Sequence, residues 1–258
     1  LRILVKLGGT LLDQEELRGS LAEQIARASR EGWEVVVVHG GGKQMTRFLS
    51  ERGIESRFVN GLRVTTPETM DAVVKVLAGT VNHELVAALG AAGAAAVGLS
   101  GVDSWLTEAE QMDPELGAVG RVVRSNPALL ELLAANGYIP VVACMAGDRQ
   151  GRMYNVNADQ MAVACAAGFR AEQLVFLTDV DGVLDESKRL CAELTAAECE
   201  RLIADGVATG GMQAKLNAAT SALKQGVAQV RIAPGAAAHA LTRVLAGEAL
   251  GTRLAPAE

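Results

Sequence analysis

Apolar runs and helical periodicity alternate along this 258-residue chain from one end to the other. Ile3–Leu7 reads as a strand, and the periodic stretch Glu15–Arg30 that follows reads as a helix. Val35–Val38 is a run of four valines, after which Lys43–Arg52 opens another helix. Ala95–Leu99, Ile139–Cys144, Leu174–Thr178 and Gln229–Ile232 supply further strands. Strands separated by helices predict an α/β fold with a largely parallel sheet. The chain is expected to form one domain over residues 1–258, as two lobes (1–146 and 147–258) sharing a continuous sheet. The change between them falls near Gly147–Met153.

Three stretches break the alternation and read as β-hairpins. Arg57–Val64 centres on Asn60-Gly61, a pair that favours the positive φ angles of a tight type I′ turn. Trp105–Val123 and Met145–Tyr154 are the other two. The first hairpin carries Arg63, and beside a substrate crevice it would make a lid.

Composition narrows the picture. Half the residues are hydrophobic but only 3% are aromatic, so the core must be built from Ala, Val and Leu. The formal charge is −6, with no long basic run. That balance argues against nucleic acid as a partner, because phosphate contacts supply most such affinity. Cys144, Cys165, Cys191 and Cys199 form no C-x-x-C pair and read as small buried hydrophobes in a reducing compartment. Lys6 interrupts the first apolar run, and Ala87–Leu99 is too short and too rich in glycine to span a bilayer. The expectation is a soluble, cytoplasmic protein with no membrane partner.

The candidate chemistry lies at strand ends, where open α/β sheets bind their ligands. Lys6-Leu7-Gly8-Gly9 and His39-Gly40-Gly41-Gly42 each follow an apolar strand, so the amides of Gly8, Gly9, Gly41 and Gly42 could meet phosphoryl oxygens. Neither segment is a P-loop or G-x-G-x-x-G. Gly210–Lys215 leads into a helix running to about Gln225. This places Lys215 in a first turn, where a cation gains nothing from the helix dipole unless an anion binds there. Asp159 opens a helix over Asp159–Ala167 and could hold Lys6 and Lys215 in place, with Asn157 as the N-cap, worth ~1 kcal/mol. Asp179-Val180-Asp181-Gly182 resembles the nucleophile loop of haloacid-dehalogenase-type phosphatases, but no acidic pair follows on a later strand end. A loop contacting adenine or ribose fits better. Cations without an evident base favour phosphorylating a carboxylic acid, which is already ionised at pH 7, over an alcohol.

Three motifs carry a family resemblance: Asn60-Gly61-Leu62-Arg63-Val64-Thr65, Met153-Tyr154-Asn155-Val156-Asn157-Ala158-Asp159 and the closing Gly251-Thr252-Arg253. In this order, over essentially all 258 residues, the chain resembles the amino acid kinase family. Within it, the chain resembles the branch that phosphorylates the γ-carboxylate of N-acetyl-L-glutamate in arginine biosynthesis. The resemblance implies a three-layer sandwich with a central, mostly parallel eight-stranded sheet. It implies that Lys6 and Lys215 stabilise the transition state and that Asp159 orients them. Gly41, Gly42, Arg63 and Asn155 would bind acetylglutamate, and Gly8 and Gly9 the phosphates. Asp179, Val180, Asp181, Gly182, Val183, Leu184, Val207, Ala208 and Thr209 would hold ATP. Mg²⁺ would be gripped mainly by the phosphates, with no protein metal site. Lys43-Gln44 stands where family members vary, which gives Lys43 no direct role. A homodimer through a helix near Pro67–Leu77 is implied. The chain begins almost at the first strand, without the extra N-terminal helix of arginine-inhibited hexamers, so the dimer is expected to be arginine-insensitive. Two alternatives are a kinase of carrier-protein-linked aminoadipate in lysine biosynthesis and a non-catalytic nucleotide-binding regulator. Asn60–Arg63 speaks against the first, and Lys6, Asp159 and Lys215 against the second.

Overall fold

The computed structural model describes residues 1–255. Strand β1 (Arg2–Leu7) crosses through α1 (Gly9–Leu12) and α2 (Glu15–Arg30) to β2 (Glu34–His39), its parallel neighbour. Leu4 and Val5 point to opposite faces of the sheet, yet both are fully buried, so helices cover both faces. This is why these strands read as unbroken apolar runs rather than as alternation. Helix α3 (Gly42–Ser50) leads to the hairpin β3 (Phe58–Val59) and β4 (Leu62–Arg63). Its turn holds Asn60 at φ +49° and Gly61 at φ +78°, as a type I′ turn requires.

Helix α4 (Pro67–Val73) is capped by the Thr66 hydroxyl, which accepts from the Thr69 amide. It continues through a π-helical segment, Val74–Val81, into α5 (Asn82–Ala91). Pro67–Ala91 is long and apolar enough to cross a membrane by length and composition. Here Met70, Val73, Val76, Leu77, Leu85 and Leu89 are instead buried in the core. Strand β5 (Ala96–Ser100) follows, then β6 (Thr107–Gln111), β7 (Gly120–Ser125), α6 (Ala128–Ala135) and β8 (Ile139–Ala143). Strands β9 (Met145–Gly147) and β10 (Met153–Asn155) form the third hairpin.

The remaining elements are α7 (Ala158–Phe169), β11 (Gln173–Thr178), β12 (Glu193–Leu194), α8 (Ala196–Ala204), α9 (Gly210–Lys224), β13 (Gln229–Pro234), α10 (Ala240–Leu245) and β14 (Thr252–Leu254). The central sheet has eight strands in the order β12-β14-β13-β11-β1-β2-β8-β5, and only β13 and β14 pair antiparallel. The six strands read from hydrophobicity are all there. The two missed, β12 and β14, are two and three residues long, too short to show a pattern. The second and third predicted hairpins join into one small sheet, β10-β9-β6-β7. All four cysteines are unpaired, and only Cys191 is not fully buried.

Candidate active site

Strand β1 delivers Lys6 to the carboxyl end of the sheet, where its side chain is buried. Helix α7 begins just there because Asn157 caps it, its side-chain oxygen accepting from the amides of Asp159 (2.9 Å) and Gln160 (3.2 Å). Asp159 therefore sits in the first turn, only 6% exposed. The Lys6 Nζ lies 2.6 Å from its Oδ1, and the Lys215 Nζ 3.7 Å from its Oδ2. Burial alone would raise the Asp159 carboxyl, but the charges of Lys6 and Lys215 outweigh it and hold the group below the ordinary carboxylate value. The site thus fixes two ammonium groups astride one ionised carboxylate. One expectation needs correction: α9 begins at Gly210, so Lys215 is its sixth residue and lies in the second turn. Gly210 and Gly211 open the first turn, and the amides at the very start of a helix have no intrahelical acceptor.

The two glycine turns meet backbone to backbone. A Cβ on Gly9 would come within 2.9 Å of the Gly41 Cα and nitrogen, so only glycine allows this approach. Gly8 departs from expectation. Its amide donates to the Leu177 carbonyl at 3.0 Å, extending the β1–β11 ladder by one residue, and so is not offered to a phosphate. Gly9 is the first residue of α1, and its amide is free by construction. In the second turn all three carbonyls are occupied. Gly40 O accepts from the His39 ring at 2.9 Å, Gly41 O from the Met45 amide at 2.9 Å, and Gly42 O from Arg63 Nη2 at 3.0 Å. With its carbonyls held by the protein, the turn leaves the amides of Gly41 and Gly42 for a ligand. Gln44 ties the turns together, its Nε2 donating to Gly9 O at 3.0 Å. Lys43 is exposed.

Next to the second turn lies a cavity of about 180 Å³ lined by Gly40–Gly42, Met45, Phe58, Arg63, Leu77, Asn155 and Ala158, among others. Arg63 stacks over the Phe58 ring at 4.6 Å and donates to Ser56 Oγ, Thr46 Oγ1 and Gly42 O. Those three bonds leave two of its five N–H groups. Burial lowers its pKa, but the guanidinium stays charged at neutral pH. Asn155 is fixed by donating from Nδ2 to Thr65 Oγ1 at 3.1 Å. Thr65 closes the Asn60–Thr65 motif, but nothing in the sequence singled out Ser56 and Thr46, because hydroxyls of this kind are common and only contact identifies them.

On the other side of the triad, Asp179 follows β11 and is exposed. Burial opposes its charge, but its own amide, the Thr178 and Thr10 hydroxyls and the Lys215 charge together hold its pKa down. Val180 and Leu184 present exposed apolar side chains, whereas Gly182 and Val183 are buried. The Val183 amide donates to Thr252 Oγ1 at 2.8 Å, and that hydroxyl donates to Cys191 O at 2.7 Å. Gly182, at φ +146°, keeps clear of the same hydroxyl. Val207, Ala208 and Thr209 run into α9, with the Val207 and Ala208 amides both bound to the Leu202 carbonyl. Ala208 is buried and Thr209 exposed. The structure therefore gathers Lys6, Asp159, Lys215 and Asp179 on one side of the glycine turns, and Arg63 and Asn155 on the other. Asp181 is exposed.

Comparison with known proteins bears on this arrangement. A model of the amino acid kinase family matches residues 1–234. An acetylglutamate kinase of Solibacter usitatus (strain Ellin6076) is 71% identical over 257 residues, covering 100% of both chains. One of Acidobacterium capsulatum is 46% identical over 243 residues, covering 93% of this chain and 94% of that one. Among solved structures, N-acetylglutamate synthase from Neisseria gonorrhoeae, complexed with coenzyme A and N-acetyl-glutamate, superposes with a TM-score of 0.89 at 26% identity. The match covers 100% of this chain but 60% of that longer one. Carbamate kinase from Giardia lamblia bound to AMP-PNP shares the fold, with a TM-score of 0.76 at 19% identity over 99% of this chain and 98% of that one.

Proposed function

The chain belongs to the amino acid kinase family, and from that premise we propose that it moves the γ-phosphoryl group of ATP onto the γ-carboxylate of N-acetyl-L-glutamate. The observation that carries this reading is the pair of lysines astride buried Asp159, beside two glycine turns that meet backbone to backbone. A carboxylate oxygen of the acid attacks the γ-phosphorus, and the bond from that phosphorus to the β,γ-bridging oxygen breaks. The products are an acyl phosphate and ADP. No base is needed, because the attacking carboxylate is ionised at pH 7.

Phosphoryl transfer is mostly positioning and charge stabilisation. Lys6 and Lys215 offset the repulsion between carboxylate and triphosphate. The amides of Gly9, Gly41 and Gly42 donate to phosphoryl oxygens, whose position they hold before the reaction begins. Asp159 stays ionised throughout and keeps the two ammonium groups apart and aimed. The Arg63 N–H groups left over from its protein contacts suit a substrate carboxylate, and Asn155 faces the same cavity. Asp179–Leu184 and Val207–Thr209 take the nucleotide, with the apolar Val180 and Leu184 side chains against the base. Magnesium would be held mainly by the phosphate oxygens of ATP and would offset part of their charge.

Residues 1–146 supply most of the acid-binding surface and 147–258 most of the nucleotide surface, with Asn155 and Asp159 reaching across. This enzyme would serve arginine biosynthesis in the cytoplasm. The names of the full-length relatives favour it over a carrier-linked substrate or a silent regulator. A homodimer completes the reading, for which the family resemblance implies the helix near Pro67–Leu77 and the sheet offers a second surface beside it. Strand β5 is an edge of the central sheet and leaves Ala96, Val97 and Leu99 half-buried, an apolar edge of the kind proteins cover. Light scattering should give twice the 26.8 kDa chain mass, and a monomer would remove the dimer from the account. Trapping the acyl phosphate with hydroxylamine tests the reaction itself.

A further inference from the structure

His39 is fully buried at the end of β2 and has two partners. Its Nδ1 lies 2.9 Å from the Gly40 carbonyl and its Nε2 3.0 Å from Asn82 Nδ2. The Asn82 nitrogen also reaches the Val141 carbonyl at 2.9 Å and the Leu99 carbonyl at 3.4 Å. Two carbonyls demand a donor, which fixes the amide with its NH₂ toward them and toward the ring. Asn82 must therefore donate to Nε2, leaving that nitrogen bare and the proton on Nδ1. The ring then donates to Gly40 O. Burial pushes the imidazole down to about 4, against a smaller opposing pull from that same carbonyl, so it is neutral at working pH.

The second partner comes from an unusual helix. Asn82 is the first residue after the π-helical segment Val74–Val81. One added residue in a turn rotates everything beyond it relative to an α-helix. The same segment presses the Leu77 side chain onto Gly41, where a Cβ would have to displace it, and the Asn82 side chain occupies the space that Gly98 leaves in β5. The glycine turn is thus held on one flank by Arg63 and on the other by a relay from the Val141 carbonyl through Asn82 and His39.

We propose that His39 is a positioning residue for this reaction: through its Nδ1–H bond to the Gly40 carbonyl, with the tautomer set by Asn82, it holds the Gly41 and Gly42 amides in line with the transferred phosphoryl group. The relay itself stands on geometry, and only its kinetic readout rests on the acyl-phosphate reading. A buried chain of hydrogen bonds of this kind fixes one backbone arrangement among several that packing alone would permit.

Two substitutions separate the bonds. His39→Asn keeps a donor at the Nδ1 position and loses the Asn82 contact. His39→Gln keeps a group at the Nε2 position and loses the Gly40 bond. For His39→Gln, kcat should fall by about a hundredfold, the scale of a misplacement near 1 Å. His39→Asn should stay close to the parent, and Asn82→Ala should fall between the two. Melting temperatures are recorded alongside, because a purely structural role would make activity follow stability in both His39 variants. Hydrogen exchange gives a readout independent of substrate. The Gly40 amide, bound to Leu7 O, and the Met45 amide, bound to Gly41 O, should exchange faster in His39→Gln than in His39→Asn. Equal kinetics and equal exchange in the two His39 variants would overturn the proposal. So would an Asn82→Ala enzyme indistinguishable from the parent in both. If the parent makes no acyl phosphate, the reaction is wrong while the exchange contrast still decides the relay.

Discussion

At the scale of single residues, chemistry was carried by residue type, and much of it was legible. A lysine at the end of an apolar strand, another behind the glycine pair that opens a helix, and an aspartate behind a capping asparagine suggested one charge cluster, and Lys6, Asp159 and Lys215 do converge. The two lysines should not be equivalent. Lys6 is more buried and closer to Asp159, so Lys6→Ala strands a buried carboxylate with a partner at 3.7 Å. Both Lys6→Ala and Lys215→Ala should lower kcat by about a hundredfold or more. Only Lys6→Ala should also cost about 3–5 kcal/mol of stability, the usual consequence of breaking a buried pair. Steady-state kinetics with urea denaturation checks both. Near-parental kcat in either variant would remove that lysine from the mechanism. The role of Gly8 was not legible, because which amide is free depends on the register between β1 and β11, and the sequence of β1 does not contain that register.

At the scale of elements, local signals succeeded where local geometry decides. Asn60-Gly61 fixed the first hairpin, and Asn157 fixed the start of α7. The π-helical segment left no trace in the sequence, since Val74–Val81 has the composition of any buried helix. The closing Gly251-Thr252-Arg253 motif became intelligible only in three dimensions. Gly251, at φ +71°, passes too close to the Ile232 carbonyl for a side chain, and Thr252 braces the Val183 amide from β14, which lies between β12 and β13. Thr252→Val removes both hydrogen bonds of that hydroxyl and should cost about 1–3 kcal/mol, the penalty for stranding buried groups. Because the proposed function assigns Val183 to the nucleotide loop, the KM for ATP should rise several-fold while kcat changes little, and Thr252→Ser should restore it. An unchanged KM for ATP would separate the loop from the nucleotide.

At the scale of the whole molecule, six of eight central strands and all three hairpins could be read from hydrophobic pattern and turn chemistry. The joining of two hairpins into a second sheet could not, because strands far apart in sequence carry no label naming their partner. The buried relay also shapes the stability of the entire fold. His39 has a pKa of about 4 when folded against 6.5 ordinarily, so between those values the unfolded chain binds a proton that the folded one refuses. Stability should therefore fall as pH drops from 6.5 to about 4, by about 3 kcal/mol in all. The contribution of Asp159, whose carboxyl is held below its ordinary value, is lost only at lower pH still. Urea denaturation at several pH values should show the first decline in the parent and a flatter profile in His39→Asn. An equally steep profile in that variant would assign the decline to other groups.

The central claim is that this site makes an acyl phosphate on one particular acid. The most direct measurement incubates the protein with MgATP and hydroxylamine and compares N-acetyl-L-glutamate, free glutamate and N-acetyl-aspartate. Hydroxylamine captures an acyl phosphate as a coloured hydroxamate. The account predicts hydroxamate with N-acetyl-L-glutamate and none above background with the other two. ATP binding without hydroxamate from N-acetyl-L-glutamate would contradict it.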